Sequence, residues 1–229
     1  MLAIAYQDAF ARNDPPMPII INDLDPGVAA FWSVISGNDE ATFKELRRRL
    51  TSTVPTRDLF WEIRNSKPAL NDRLELAWQF FYCNRTCIMP SNGQRPMTKI
   101  GERWLKNLPQ EMDEARRLLK GRTTVYNTDF SEVIAPAQPN WVIYLDPPYY
   151  QAGSGLYTEF VMEDDKHVQL RDILKATPAD WVLSYDYHSR VFELYTDDWT
   201  RTHELDVQYS MSKREDVEAL IVPLRIGPK

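Results

Sequence analysis

The run Trp141-Val142-Ile143-Tyr144-Leu145, followed at once by Asp146-Pro147-Pro148-Tyr149-Tyr150, constrains the fold more than any other stretch of this chain. Five consecutive apolar residues of high strand preference, without alternation, predict a strand buried in a sheet. Proline cannot donate to a sheet ladder, so the strand stops at Asp146 and the next residues form a stiff, extended bend. In open α/β sheets the carboxyl end of a buried strand is where ligands bind.

The rest of the chain supplies the alternation such a sheet needs. Pro18 to Asn22 is a short apolar run that reads as a strand covered on both faces, followed by Asp23. Asp25-Pro26 opens a helix that stops at Gly37, and Asn38 to Leu50 forms a second. Beyond Gly121, strands are expected at Thr123–Asn127, Trp141–Leu145, Trp181–Tyr185, Thr202–Tyr209 and Val217–Leu224, with a helix over Asp165–Ala176. This order predicts an α/β, Rossmann-like, mostly parallel sheet whose last two strands are antiparallel, because no helix separates them.

Residues 51 to 121 differ in character. Helical patterns over Leu70–Tyr82 and Gln110–Leu119 flank an irregular stretch, 84 to 99, that holds two prolines and Asn92-Gly93, a dipeptide suited to a tight hairpin. The expected division is a catalytic, cofactor-binding domain of residues 1–50 and 122–229, with 51–121 as a helical target-recognition insertion carrying a hairpin near 84–99.

Net charge is −6, but it is unevenly spread. Between Arg64 and Arg122 stand twelve Lys or Arg and six Asp or Glu, a local +6 that leaves −12 elsewhere, so this segment is the candidate polyanion surface. Cys83 and Cys87 are the only cysteines and His167, His188 and His203 are scattered, so no metal site is expected. No apolar run approaches membrane-spanning length, and Gln7 and Asp8 interrupt the first ten residues. A soluble, cytoplasmic protein is expected.

Three acids follow predicted strands: Asp23, Asp129 and Asp146. Parallel strands gather their carboxyl ends on one rim, so these carboxylates should line one cleft, and an acid after the second strand commonly accepts hydrogen bonds from ribose hydroxyls. Phe130 offers a face for a base. Each acid by itself is more often a strand terminator or helix cap; three together on one rim favour the ligand-binding reading. Pro147 and Pro148 carry no N–H, so Asp146 and the Pro147 carbonyl form an acceptor-only cradle suited to a substrate amino group, with Tyr149 as a stacking surface.

Asp146-Pro147-Pro148-Tyr149 resembles the DPPY motif of the Dam-type, alpha-group N6-adenine-specific DNA methyltransferases. The resemblance extends through IINDLDP (20–26), FFYCNR (80–85), NTDF (127–130), YTEFVMEDDKHVQLRDIL (157–174), LSYDY (183–187) and VEALIV (217–222), in the family's order. It implies a site-specific DNA adenine methyltransferase. S-Adenosylmethionine would be held by Asp23 at its ribose and by Asp129 and Phe130 at its adenine, with Asp146 at the reacting end and no metal. The target adenine would be flipped from double-stranded DNA onto Tyr149, its amine held by Asp146 and the Pro147 carbonyl, with Pro148 stiffening the bend. Asn84 and Arg85 match the family's N-R pair, and the ribbon would present Asn92, Gln94, Arg95 and Lys99 to the DNA. A bacterial or phage-infected cell is the implied setting, in restriction-modification, phage defence or housekeeping.

One family feature is absent: no F-x-G-x-G precedes Asp23, since the first glycine is Gly27. Met1 to Phe10 resembles the helix after that loop, so the expectation is a chain lacking the first strand and its glycine loop. A shortened product, a second protein chain supplying the segment, and recruitment of Leu2–Ala5 as a strand all fit. Weak cofactor binding follows, and with it a second reading: a catalytically weak or inactive methyltransferase-like DNA-binding or partner subunit. A dinucleotide or nucleotide-sugar enzyme is disfavoured, because no glycine-rich fingerprint exists.

Overall fold

Ile19–Asn22 forms β1 and Thr123–Tyr126 forms β2, paired in parallel with Ile19 opposite Thr123 and Asn22 opposite Tyr126. Parallel strands need a crossover. Here it is a helical layer: α1 (Pro26–Ser36), α2 (Glu40–Ser52), α3 (Arg57–Asn65), α4 (Arg73–Thr86) and α5 (Leu108–Leu119). The computed structural model describes residues 17–87, 96, 97, 100, 104, 107–150, 162–208 and 215–226. Two compact units share the chain, one ending at Thr128 and the other beginning at Asp129.

Side-chain caps set where the helices of the first unit begin. Asp25 accepts the Gly27 N–H at 2.7 Å, Asp39 those of Ala41 and Thr42 at 3.1 and 3.0 Å, Thr56 that of Leu59 at 3.2 Å, and Asp72 that of Glu75 at 3.1 Å. Each satisfies a donor that the helix leaves orphaned, a contribution of about 1 kcal/mol. The helices share one core, to which Phe31, Ile35, Leu46, Phe60, Tyr82 and Met112 contribute one or two from each helix. α1 and α4 meet closely because Gly27 has no side chain: a Cβ there would lie 2.8 Å from the Phe80 Cβ. Helix α3 has no counterpart among the sequence expectations, since only Phe60 and Ile63 of its nine residues are buried, too few to reveal a helical period.

In the second unit the strands β3 (Val142–Leu145), β4 (Asp180–Asp186), β5 (Thr200–Gln208) and β6 (Glu215–Pro223) form one sheet in the order β3-β4-β6-β5. β3 is parallel to β4, while β6 is antiparallel to both β4 and β5. The expected antiparallel ending is present. The mostly parallel sheet is not: among the described residues two strand pairs are parallel and two antiparallel, in two separate sheets. The reason is local. After α8 (Ser189–Leu194) carries the chain from β4 to β5, β6 returns directly and wedges between them, so one reversed strand makes two antiparallel pairs.

Helices α6 (Phe130–Ile134) and α7 (Asp164–Ala176) complete this unit. Its core centres on β4, where Trp181, Leu183 and Tyr185 are buried against Leu170 and Leu174 of α7 and Ile221 of β6. The Trp181 indole N–H donates to the Leu174 carbonyl at 3.1 Å, which satisfies the one polar atom of that ring. β3 corrects a second expectation. Ile143 and Leu145 join the core, but Val142 and Tyr144 point the other way and are 79% and 51% exposed, so the strand is covered on one face rather than two.

Candidate active site

At the carboxyl end of β3 the chain leaves the sheet at Asp146, and Pro147, Pro148 and Tyr149 follow outside any strand or helix. The register explains what gathers here. Leu145 lies opposite Leu183 of β4, so the next residues of β4, Ser184 to Asp186, run alongside the bend; Asp186 in turn faces Glu218 of β6. The bend is tied down just beyond the motif: the Tyr150 N–H donates to Asp186 Oδ1 at 3.0 Å, and its hydroxyl to Asp164 Oδ1 at 3.1 Å. Arg190 holds that same Asp164 carboxylate at 2.8 and 3.0 Å.

Asp146 is exposed, and no described residue gives its carboxylate a hydrogen bond or an ion pair. Its pKa is nevertheless raised, first because surrounding protein removes water from it and second because the Glu218 carboxylate is near. Raised acidity thresholds also mark its tyrosine neighbours. Tyr149 is half-buried; desolvation lifts its phenol far above the ordinary value, with the Glu218 and Asp146 charges adding to the effect. Tyr144 is raised by desolvation and then by the same two carboxylates. No described backbone donor reaches the Pro147 carbonyl. The bend thus presents acceptors and an aromatic face, and neither Pro147 nor Pro148 adds a backbone donor to them.

Asp129 is a helix cap. Its Oδ1 accepts the Ser131 N–H at 2.9 Å and the Ser131 hydroxyl, starting α6, while Lys166 of α7 donates to Oδ2 at 2.9 Å. The Ser131 hydrogen bond, opposed by some desolvation and helped by Lys166, holds its carboxyl down to about 2. A carboxylate has about four acceptor positions, and three are used, so one on Oδ2 remains. The same Lys166 ammonium sits 5.8 Å from the centre of the Phe130 ring. Lys166 carries no motif that sequence reasoning could have picked out; its position is a consequence of how α7 lies beside α6.

In the first unit, Asp23 follows β1. Its Oδ1 accepts the Asp25 N–H at 2.9 Å, and burial is the main reason its pKa is raised. Two asparagines lock the ends of β1 and β2 around it: Asn22 exchanges hydrogen bonds with the backbone of Thr128 at 3.1 and 3.3 Å, and the Asn127 amide donates to the carbonyls of Asp23 and Leu24, each at 2.9 Å. Asp23 Oδ2 has no partner among the described residues.

Asn84 and Arg85 lie in the last turn of α4, both half-buried, with the Arg85 guanidinium 5.9 Å from the Phe81 ring centre. Just beyond, Cys87 and Pro96 form an antiparallel bridge and the Met97 N–H donates to the Thr86 carbonyl at 2.8 Å, so the chain leaves and re-enters side by side. Asn92, Gln94, Arg95 and Lys99 fall outside the described residues. The local positive charge is partly spent within the protein: Arg117 pairs with Glu114, Lys120 and Arg116 with Glu40, and Asp113 with Arg47. Cys83 and Cys87 are buried and not joined in a disulfide, Cys83 pushed up to about 12 by burial, and among the described residues no cluster of His, Cys, Asp or Glu could hold a metal ion. No described helix is long and apolar enough to cross a membrane.

Ser184 and Asp186 lie in LSYDY and Glu218 in VEALIV, segments that carry the resemblance, but sequence reasoning gave none of the three a role. Their types are unremarkable, and only the strand register brings them to the bend. Comparison with protein families matches residues 8–211 to the D12 class N6 adenine-specific DNA methyltransferases. No curated protein matches the chain.

Proposed function

The chain belongs to the D12 class N6 adenine-specific DNA methyltransferase family, and on that footing we propose that it methylates the N6 amine of an adenine flipped out of double-stranded DNA, with Asp146, Pro147, Pro148 and Tyr149 as the reacting site. The observation that carries this reading is Asp146 itself. It stands at the carboxyl end of β3, exposed and without a described partner, heading two residues that have no N–H. Such a cradle accepts the two hydrogens of an exocyclic amine and cannot donate to its nitrogen, so the lone pair turns outward to attack. Tyr149 supplies a ring for the base to lie against, and orientation of the amine accounts for the acceleration. The carboxylate and nearby solvent take the proton that N6 releases.

S-Adenosylmethionine, the donor that the family generally uses, supplies an electrophilic methyl group on a positively charged sulfur. Each unit, taken by itself, offers groups suited to such a donor. Asp23 Oδ2 is open to a ribose hydroxyl, Asp129 keeps one acceptor position for an adenine amine, and Phe130 offers its ring beside that position. Asn84, Arg85 and the ribbon residues Asn92, Gln94, Arg95 and Lys99 are proposed to meet the DNA, with residues 51–121 acting as the recognition segment. Affinity for duplex DNA then falls steeply with added salt.

The deciding experiment measures transfer of a labelled methyl group to adenine in mixed-sequence duplex DNA by the wild type and by Asp146→Ala. Loss of the carboxylate should reduce the rate by about 100-fold or more. Incorporation that survives the substitution removes Asp146 from the mechanism. DNA binding without incorporation by either protein supports the second reading, a methyltransferase-like DNA-binding or partner subunit.

A further inference from the structure

Behind the bend, three side chains from three different strands or loops form a line. The Glu218 carboxylate accepts from the Ser184 hydroxyl at 3.4 Å, and the Ser184 oxygen lies 3.3 Å from the Tyr149 hydroxyl. A serine hydroxyl has one proton to give and a carboxylate has none. With that proton directed at Glu218, the Ser184 oxygen is left as an acceptor, and the Tyr149 hydroxyl must be the donor to it. The Tyr149 hydroxyl also interacts directly with the Glu218 carboxylate, which has no proton to give, so donation runs from Tyr149 towards Glu218 both through Ser184 and directly. Ser184 is almost wholly buried and Glu218 is half-buried, so the anchor is built into the sheet, whereas Tyr149 belongs to a bend without ladder hydrogen bonds.

We propose that Glu218 is a positioning residue for methyl transfer: through Ser184 and directly, it fixes the direction in which the Tyr149 hydroxyl donates and, because a phenol O–H stays close to the plane of its ring, the angle of the ring against which the target adenine lies. This inference rests on the functional reading above and deepens it. Asp146 and the Pro147 carbonyl hold the amine in position, but they leave the base free to rotate about that end; a ring held at its far hydroxyl removes that freedom. The packing of Tyr149 beside Tyr185, with ring centres 6.5 Å apart at 45°, supports one side of the ring but cannot by itself set its tilt. Both contacts, at 3.3 and 3.4 Å, are longer than an ordinary O–H···O hydrogen bond of roughly 2.5–3.0 Å, so each is weak and their effect depends on acting together.

The test uses the full-length protein with Glu218→Gln, Ser184→Ala, Tyr149→Phe and the double variant Tyr149→Phe/Glu218→Gln. Glutamine keeps the shape but can donate as well as accept, so the direction of the chain is no longer set. Each single variant should lower kcat about five- to tenfold with a smaller change in KM for DNA, and the double variant should be no slower than Tyr149→Phe. A purely structural role would instead make the losses add. Additive losses, or a Glu218→Gln enzyme at the wild-type rate, overturn the proposal.

A second readout needs no turnover. With the tyrosine ring carbon next to the hydroxyl labelled with carbon-13, the Tyr149 signal is identified by its loss in Tyr149→Phe, and it should shift in both Ser184→Ala and Glu218→Gln at neutral pH. An unmoved signal overturns the proposal even if the variants are slow. A wild type that binds DNA but transfers no methyl group refutes the functional reading instead, and the spectra still report whether the chain exists.

Discussion

Arg116 allows a stability prediction to be worked through from the structure. Its side chain, 8% exposed, lies over the Phe43 ring with the guanidinium carbon 4.2 Å from the centroid. One terminal nitrogen donates to the carbonyls of Val34 and Ile35 at 3.2 and 2.9 Å, and the other to Glu40 at 2.8 Å. Those two carbonyls are in the last turn of α1, where the helix has no N–H to offer them; the Gly37 N–H goes to Ser33 instead. Arg116→Met keeps the apolar stem but leaves two buried acceptors unsatisfied, at about 1–3 kcal/mol each before any water enters, and forfeits a cation–π contact of about 1 kcal/mol. Glu40 is open to water, so its pairing adds little. The expected loss is about 3 kcal/mol, a large share of the ~5–15 kcal/mol typical of a domain. Urea unfolding followed by circular dichroism measures it, and Arg116→Lys should recover less than half, because one ammonium on a shorter stem loses the planar contact with Phe43 and cannot reach Glu40 while it serves both carbonyls. A methionine variant within about 1 kcal/mol of wild type would refute the claim that this residue stabilises the end of α1 by satisfying its last carbonyls.

Gly27→Ala should destabilise the first unit by about 1 kcal/mol, because a Cβ placed 2.8 Å from the Phe80 Cβ forces α1 and α4 apart, a cost of about 1–3 kcal/mol that outweighs the helix-propensity gain of just under 1 kcal/mol. Chemical denaturation decides it, and a stabilised variant would show that the helices separate freely. Asp129 gives a pH prediction with a definite sign. Its folded pKa of about 2 lies below the ordinary 3.8, so the stability it contributes is present above pH 4 and disappears as pH falls from there towards 2. The group is partly exposed, which limits the effect to about 1 kcal/mol. Thermal melting of wild type should fall more between pH 5 and about pH 2.5 than that of Asp129→Asn, which cannot titrate. Parallel curves would remove Lys166 and Ser131 as the cause.

Elements whose signal lies in neighbouring residues were legible before any coordinates. β1 and β2 are present within a residue of the expected ends, and α1 begins at Asp25-Pro26 and stops before Gly37 because capping and proline effects act over a single turn. The bend after β3 was equally plain, since two prolines exclude ladder hydrogen bonds whatever surrounds them. Short helices such as α3 and α8 were not legible. Six to nine residues with two buried side chains each contain no periodicity to read, and these helices exist because a core is there to receive Phe60 or Val191.

By itself the chain determined the order of strands and helices, the place where β3 must end, and the residue types offered there: an acid, two carbonyls without neighbouring donors, and a phenol ring. Only tertiary structure decided that β6 would return between β4 and β5, and with it that Glu218 and Ser184 would stand behind Tyr149 and that Lys166 would occupy Asp129. The physical reason is one of range. Caps, prolines and apolar runs act through bonds a few residues long, whereas strand order and cross-strand partners are selected by which faces bury together, a choice made among residues far apart in the chain.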